Sequence, residues 1–144
     1  MIPRNEALTE TLMQFFGSAA LPDYGKIRGA LDRSPFTALR EQLTARYDFA
    51  DCTDYNYDLG WAWYVGTAPT DGVRLRLSFV GPFAVMLDKS RKFVEPDNEI
   101  ADIVRSAGFH FYDLETLREP VTIWEPEVKG TTYEFLFEFD MDPI

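Results

Sequence analysis

The chain holds one histidine, His110, and one cysteine, Cys52, and this scarcity excludes more than any motif in it affirms. A zinc site usually draws on three or four nitrogen and sulfur ligands, far more than these two side chains supply, so no metal and no cofactor are expected. One cysteine cannot form an internal disulfide, which fits a reducing cytosol and argues against a disulfide-built secreted scaffold. No G-x-G-x-x-G, no glycine-rich phosphate loop and no G-x-S-x-G occurs. Long hydrophobic runs are missing too. The longest, Leu77 to Leu87, is eleven residues broken by Ser78, Gly81 and Pro82, too short to cross a bilayer. Met1 to Glu10 carries Arg4 with no apolar stretch behind it and does not read as a signal peptide.

Positive charge is the next shortage: 14 Lys and Arg stand against 24 Asp and Glu, a net charge of −10. The deficit grows along the chain, from net 0 over residues 1–50 to −3 over 51–100 and −7 over 101–144. Such a charge repels nucleic acid and anionic lipid, so neither is an expected partner, and neither is a membrane. What is plentiful is apolar and aromatic surface. Hydrophobic residues make up 46% of the chain and aromatics 15%, with twelve Phe, seven Tyr and three Trp. At 144 residues this suffices for one domain that buries roughly two thirds of its unfolded surface without covalent staples.

The first fifty residues read as helical. Asn5 can cap a helix with Leu8, Leu12, Phe15 and Phe16 on one face and Gly17-Ser18 as its stop; Leu21 to Leu31 is ambiguous because of Gly25 and Gly29. The clearest helix spans 35–47, with Ser34 as N-cap, Pro35 in the first position and Phe36, Leu39, Leu43 and Tyr47 on one stripe. Arg40 falls on the opposite, solvent side. From Leu59 the period becomes two. Leu59, Trp61, Trp63 and Val65 form one strand face, and Val73, Leu75, Leu77 and Phe79 another, joined through Pro69 and Asp71-Gly72 as a hairpin. Phe83 to Leu87 is a third strand or a bulged continuation. A charged connection over Asp88 to Lys92 leads to a short helix with Ile100, Ile103, Val104 and Ala107 inward and Gly108 at its end. Phe109 to Tyr112 reads as a short strand, Asp113 as the cap of one turn through Leu117, Val121 to Trp124 as a strand and Glu125 to Gly130 as a loop. Tyr133, Phe135, Phe137 and Phe139 alternate with Glu134, Leu136 and Glu138, which predicts a last strand. On it, Glu134 and Glu138 would pair across the sheet with Arg74 and Arg76.

The fold class that follows is α+β, with N-terminal helices packed on one face of a mainly antiparallel sheet of about five or six strands. One domain over 1–144 is expected, helical over 1–50 and mainly strands with one intervening helix over 51–144.

Candidate site residues come from two acidic, aromatic stretches. In the first, Asp54, Asn56 and Asp58 have the alternate spacing of a calcium loop, but Leu59 stands where glycine is needed and Val65 where the closing glutamate is. No calcium site is assigned. The second use of that stretch is recognition, because Asp51, Asp54 and Asp58 interleave with Tyr55 and Tyr57 and offer rigid amphipathic area beside negative charge. Trp124, Glu125 and Glu127, around Pro126, form a similar element. His110, between Phe109 and Phe111, reads as a packed or half-exposed strand residue, and Cys52 as an inert small residue. Carboxylate pairs are too abundant among 24 acidic residues to mark a hydrolytic centre. No catalytic residue is assigned.

In size, acidity and aromatic content the chain resembles the bacterial immunity and inhibitor proteins that neutralise toxins, a likeness of composition with no shared motif. It implies a non-enzymatic cytoplasmic module that binds a basic protein partner, and the two acidic, aromatic stretches make Asp51, Asp54, Tyr55, Tyr57, Asp58, Trp124, Glu125 and Glu127 the expected contact residues. The alternative is a small-molecule-binding protein or enzyme, with an aromatic pocket between helices and sheet that holds a carboxylate or His110.

Overall fold

The computed structural model describes residues 34–53, 59–66, 72–79, 81–123 and 128–137. The expected helix after Asn5 and the Leu21 to Leu31 segment lie outside them. The first described helix, α1, runs Ser34–Arg46, within a residue of the expected span. Its Phe36, Leu39 and Leu43 are buried and Tyr47, just beyond it, is half-buried, so the apolar stripe is the face that packs inward.

A five-stranded sheet follows in the order β1 (Asp48–Asp51), β2 (Gly60–Gly66), β3 (Val73–Ser78), β4 (Phe83–Leu87) and β5 (His110–Phe111). The first three junctions are antiparallel and the β4–β5 junction is parallel, which makes the class α+β with a mainly antiparallel sheet. The β2–β3 hairpin forms as its alternation predicts, with Trp61 opposite Leu77 and Trp63 opposite Leu75. Phe83–Leu87 is a separate third strand of the meander, with Leu77 opposite Ala84. β1 corrects the helical reading of residues 48–50. Its short sequence, Asp-Phe-Ala-Asp, has no strand signal of its own and is held by its ladder to β2.

Leu59, Trp61, Trp63, Val65, Leu75, Leu77 and Phe79 are all buried, and α1 covers this front face. Phe36 meets Phe79 edge-on at 5.7 Å between ring centroids and lies 5.5 Å from Phe109, while Trp61 stands 5.6 Å from Trp63 and 5.7 Å from Phe79. Each such pair adds about 0.5–1.5 kcal/mol beyond the area it buries.

Between β4 and β5 runs α2 (Glu99–Ser106), which carries the parallel connection. Asn98 is its cap and accepts from the Ala101 amide at 2.9 Å; Ile100, Ala101 and Val104 are buried, and Gly108, at φ 98°, ends the turn that follows. Asp113 caps α3 (Leu114–Leu117) as expected, accepting from the Thr116 amide at 2.7 Å. No helix among the described residues is long and apolar enough to cross a membrane.

The C-terminal part departs furthest from expectation. β6 (Pro120–Ile123) pairs antiparallel with β7 (Val128–Thr131), so half of the expected Glu125 to Gly130 loop is strand. Thr132–Leu136, expected to be extended, is a helix, α4. Thr131 and Glu134 form a capping box: the Thr131 hydroxyl accepts from the Glu134 amide at 3.2 Å, and the Glu134 carboxylate accepts from the Thr131 amide at 3.0 Å. Tyr133, Leu136 and Phe137, at helical spacing, are the buried set. Glu134 is therefore spent at the cap and does not stand across a ladder from Arg74 or Arg76. Glu138 lies outside the described residues.

Candidate functional site

Asp51 is the one residue of the expected binding set inside the described residues; Asp54, Tyr55, Tyr57, Asp58, Trp124, Glu125 and Glu127 lie outside them. Asp51 ends β1. One carboxylate oxygen accepts from the Thr53 amide at 3.0 Å and the other lies 3.6 Å from an Arg40 guanidinium nitrogen. Arg40 is exposed, as expected, but it is not an idle surface residue. Its guanidinium lies over the Phe49 ring at 5.4 Å and the Trp61 ring at 5.6 Å, so it closes the front face at the β1 side of the sheet. The helical phase of Arg40 is as the sequence implied. What a single helix does not reveal is that β1 brings Phe49 and Asp51 beside it.

His110 and Cys52 do not form a pair. Cys52 directly follows β1 and His110 lies on β5, four strands away, or about 19 Å at the spacing of neighbouring strands. Both are exposed. Among the described residues no group of three or more His, Cys, Asp and Glu converges to hold a metal ion. Where α1 ends, Arg46 pairs with Glu99 at the start of α2. Burial raises the Tyr47 hydroxyl above its usual pKa of 10.0, and the neighbouring Glu99 carboxylate adds to this.

The back face of the sheet holds a pocket of about 180 Å³. Its walls follow from two cross-strand rows. In the first, Ala50 of β1 is opposite Tyr64 of β2, which is opposite Arg74 of β3, with Leu87 of β4 beyond. In the second, the Cys52 amide donates to the Ala62 carbonyl at 2.7 Å, Ala62 is opposite Arg76, and Arg76 is opposite Val85. Ala50, Cys52, Ala62, Tyr64, Arg74 and Arg76 line the space, with Trp63 contributing to the wall. Small side chains at Ala50 and Ala62 leave the hollow, and residues directly opposite in an antiparallel ladder share a face, so both arginines border it. A Cβ on Gly72 would overlap the Tyr64 ring, so the ring lies across that glycine.

Arg74 is exposed, whereas Arg76 is only 7% exposed and already holds interactions of its own. This is a different pocket from the one expected between helices and sheet with a carboxylate or His110 inside: it opens on the back of β1–β3, and among the described residues its wall carries two arginines and no acid. The signal available in the sequence was Arg74-x-Arg76 on the polar side of a strong strand, opposite Ala62 in a hairpin of foreseeable register.

No protein-family model, curated protein or solved structure matches the chain.

Proposed function

We propose that the chain is a non-enzymatic binding protein that docks onto a basic protein through the β1 edge and the acidic, aromatic stretch Asp51 to Asp58 of its sequence. The observation that supports this reading is the position of β1. It is the outermost strand of the described sheet, its Asp48 and Ala50 are exposed, and among the described residues no strand pairs with its outer side. Such an edge offers backbone hydrogen bonds to an incoming segment, and its aspartates favour a basic one. The net charge of −10 supports fast association with positive partners, nucleases included, since their substrate sites are themselves positive. It also disfavours nucleic acid and anionic membranes as partners. The single cysteine suits a cytoplasmic setting.

The test is kinetic. Once a partner has been captured from the native host, its association should slow steeply with added salt. Replacing Asp51, Asp54 and Asp58 together by Asn should mainly lower the on-rate, and Tyr55→Ala or Tyr57→Ala should mainly raise the off-rate. Unchanged rates in all of these variants would remove the segment from the interface and move the search to Trp124, Glu125 and Glu127.

A further inference from the structure

We propose that the back-face pocket of β1–β3 binds a small organic carboxylate about the size of benzoate. Size comes first. A cavity of roughly 150 Å³ admits a benzene ring, while pockets for drug-sized ligands start near 300 Å³. The 180 Å³ here therefore suits one ring or a compact aliphatic body. Charge comes second. In a chain of net −10, Arg74 and Arg76 put two guanidinium groups on one wall, and among the described residues no carboxylate lines it to compete for them. A guanidinium carries five donors in a planar fork that matches a carboxylate, so Arg76 can keep its present contacts and still present donors to a ligand. Its 7% exposure makes those bonds stronger than they would be in open water.

The remaining wall sets the rest of the ligand. Ala50 and Ala62 form an apolar floor, and the Tyr64 ring, seated over Gly72, borders it. An apolar body of the right width lies against these groups while its carboxylate faces β3. Phosphate would meet the arginines and leave the apolar floor uncovered. The site carries the opposite charge to the β1 margin, with which it shares Ala50 and Cys52; benzoate binding is read without any protein partner, so the failure of one reading is distinguishable from the failure of the other.

Cys52 supplies the reporter, because it lines the pocket, is exposed and is the one thiol in the chain. The experiment follows the rate of iodoacetamide alkylation of the full chain while benzoate, benzyl alcohol or inorganic phosphate is titrated in, with calorimetry of the same titrations. Benzoate is expected to slow alkylation several-fold in a saturable way, and benzyl alcohol and phosphate to leave it unchanged. Arg74→Gln, at an exposed position and with its fold checked by an unchanged urea midpoint, should weaken benzoate about tenfold, as loss of a charge-assisted hydrogen bond does. Absence of saturable benzoate binding would overturn the proposal. So would equal protection by benzyl alcohol or by phosphate, or an Arg74→Gln protein that binds benzoate as well as the parent.

Discussion

Two stretches of this protein carry the same alternation of apolar and polar residues and take different backbones. β3, Val73–Ser78, is extended between two partner strands, while α4, Thr132–Leu136, is helical after a single hairpin. The difference lies in what satisfies the main chain. β3 finds a ladder on both sides. α4 begins at the Thr131–Glu134 capping box, and its C-terminal carbonyls are taken up by the sheet: the Ser78 hydroxyl donates to the Leu136 carbonyl at 2.6 Å and the Leu59 amide donates to the Phe137 carbonyl at 2.9 Å. At its other end the Thr132 amide donates to the Glu119 carbonyl at 2.9 Å. Alternation alone carries an apolar face in either geometry over so short a span. Hydrogen-bond partners at the ends decide between them.

The largest effect that tests this comparison comes from the leucines. Leu77→Ala in β3 and Leu136→Ala in α4 should each cost about 2–5 kcal/mol, since both are fully buried, and Leu39→Ala or Leu43→Ala in α1 should cost as much. An extended Thr132–Leu136 would turn Leu136 away from Tyr133 and Phe137, and its truncation would then be nearly silent. Urea midpoints of the four variants settle the matter.

A smaller effect sharpens the same point. Thr131→Val keeps strand propensity at the end of β7 and removes the hydroxyl that caps α4, so stability should fall by roughly 0.5–2 kcal/mol. A rise in melting temperature would mean that strand character, not capping, governs this segment.

The smallest effect concerns the sheet's front face. Arg40→Ala should cost about 0.5–1.5 kcal/mol, more than an idle surface position, because the guanidinium covers Phe49 and Trp61 as well as meeting Asp51. Asp51→Asn should cost less, and its effect should shrink in high salt while most of the Arg40→Ala effect persists. Equal costs for the two variants would mean that the ion pair, and not the ring contacts, holds Arg40 in place.

The same contrast between local and distant partners governs what could be read in advance at the candidate site. Arg74 and Arg76 were legible as residues of a strand face, but not as a pocket wall. That required Ala50 and Ala62 to line up beside them, and Ala50 reaches that row through β1, a strand with no pattern of its own. The expected partners Glu134 and Glu138 pointed the other way, towards a solvated face of paired charge. Asp51 was legible as acidic and near a loop; its engagement by Arg40 depends on α1 and β1 meeting, which neither segment announces.

What the amino-acid sequence determined by itself is the chemistry that acts within a few residues. The apolar stripe of α1, the β2–β3 hairpin, the Asp113 cap and the stop at Gly108 all follow from side chains and backbone preferences close in the chain. Tertiary structure alone decided β1, the helical state of α4 and the arginine-walled pocket. Each of these depends on hydrogen bonds or side chains supplied by another element, and a segment with two acceptable local conformations takes the one whose distant partners satisfy its backbone.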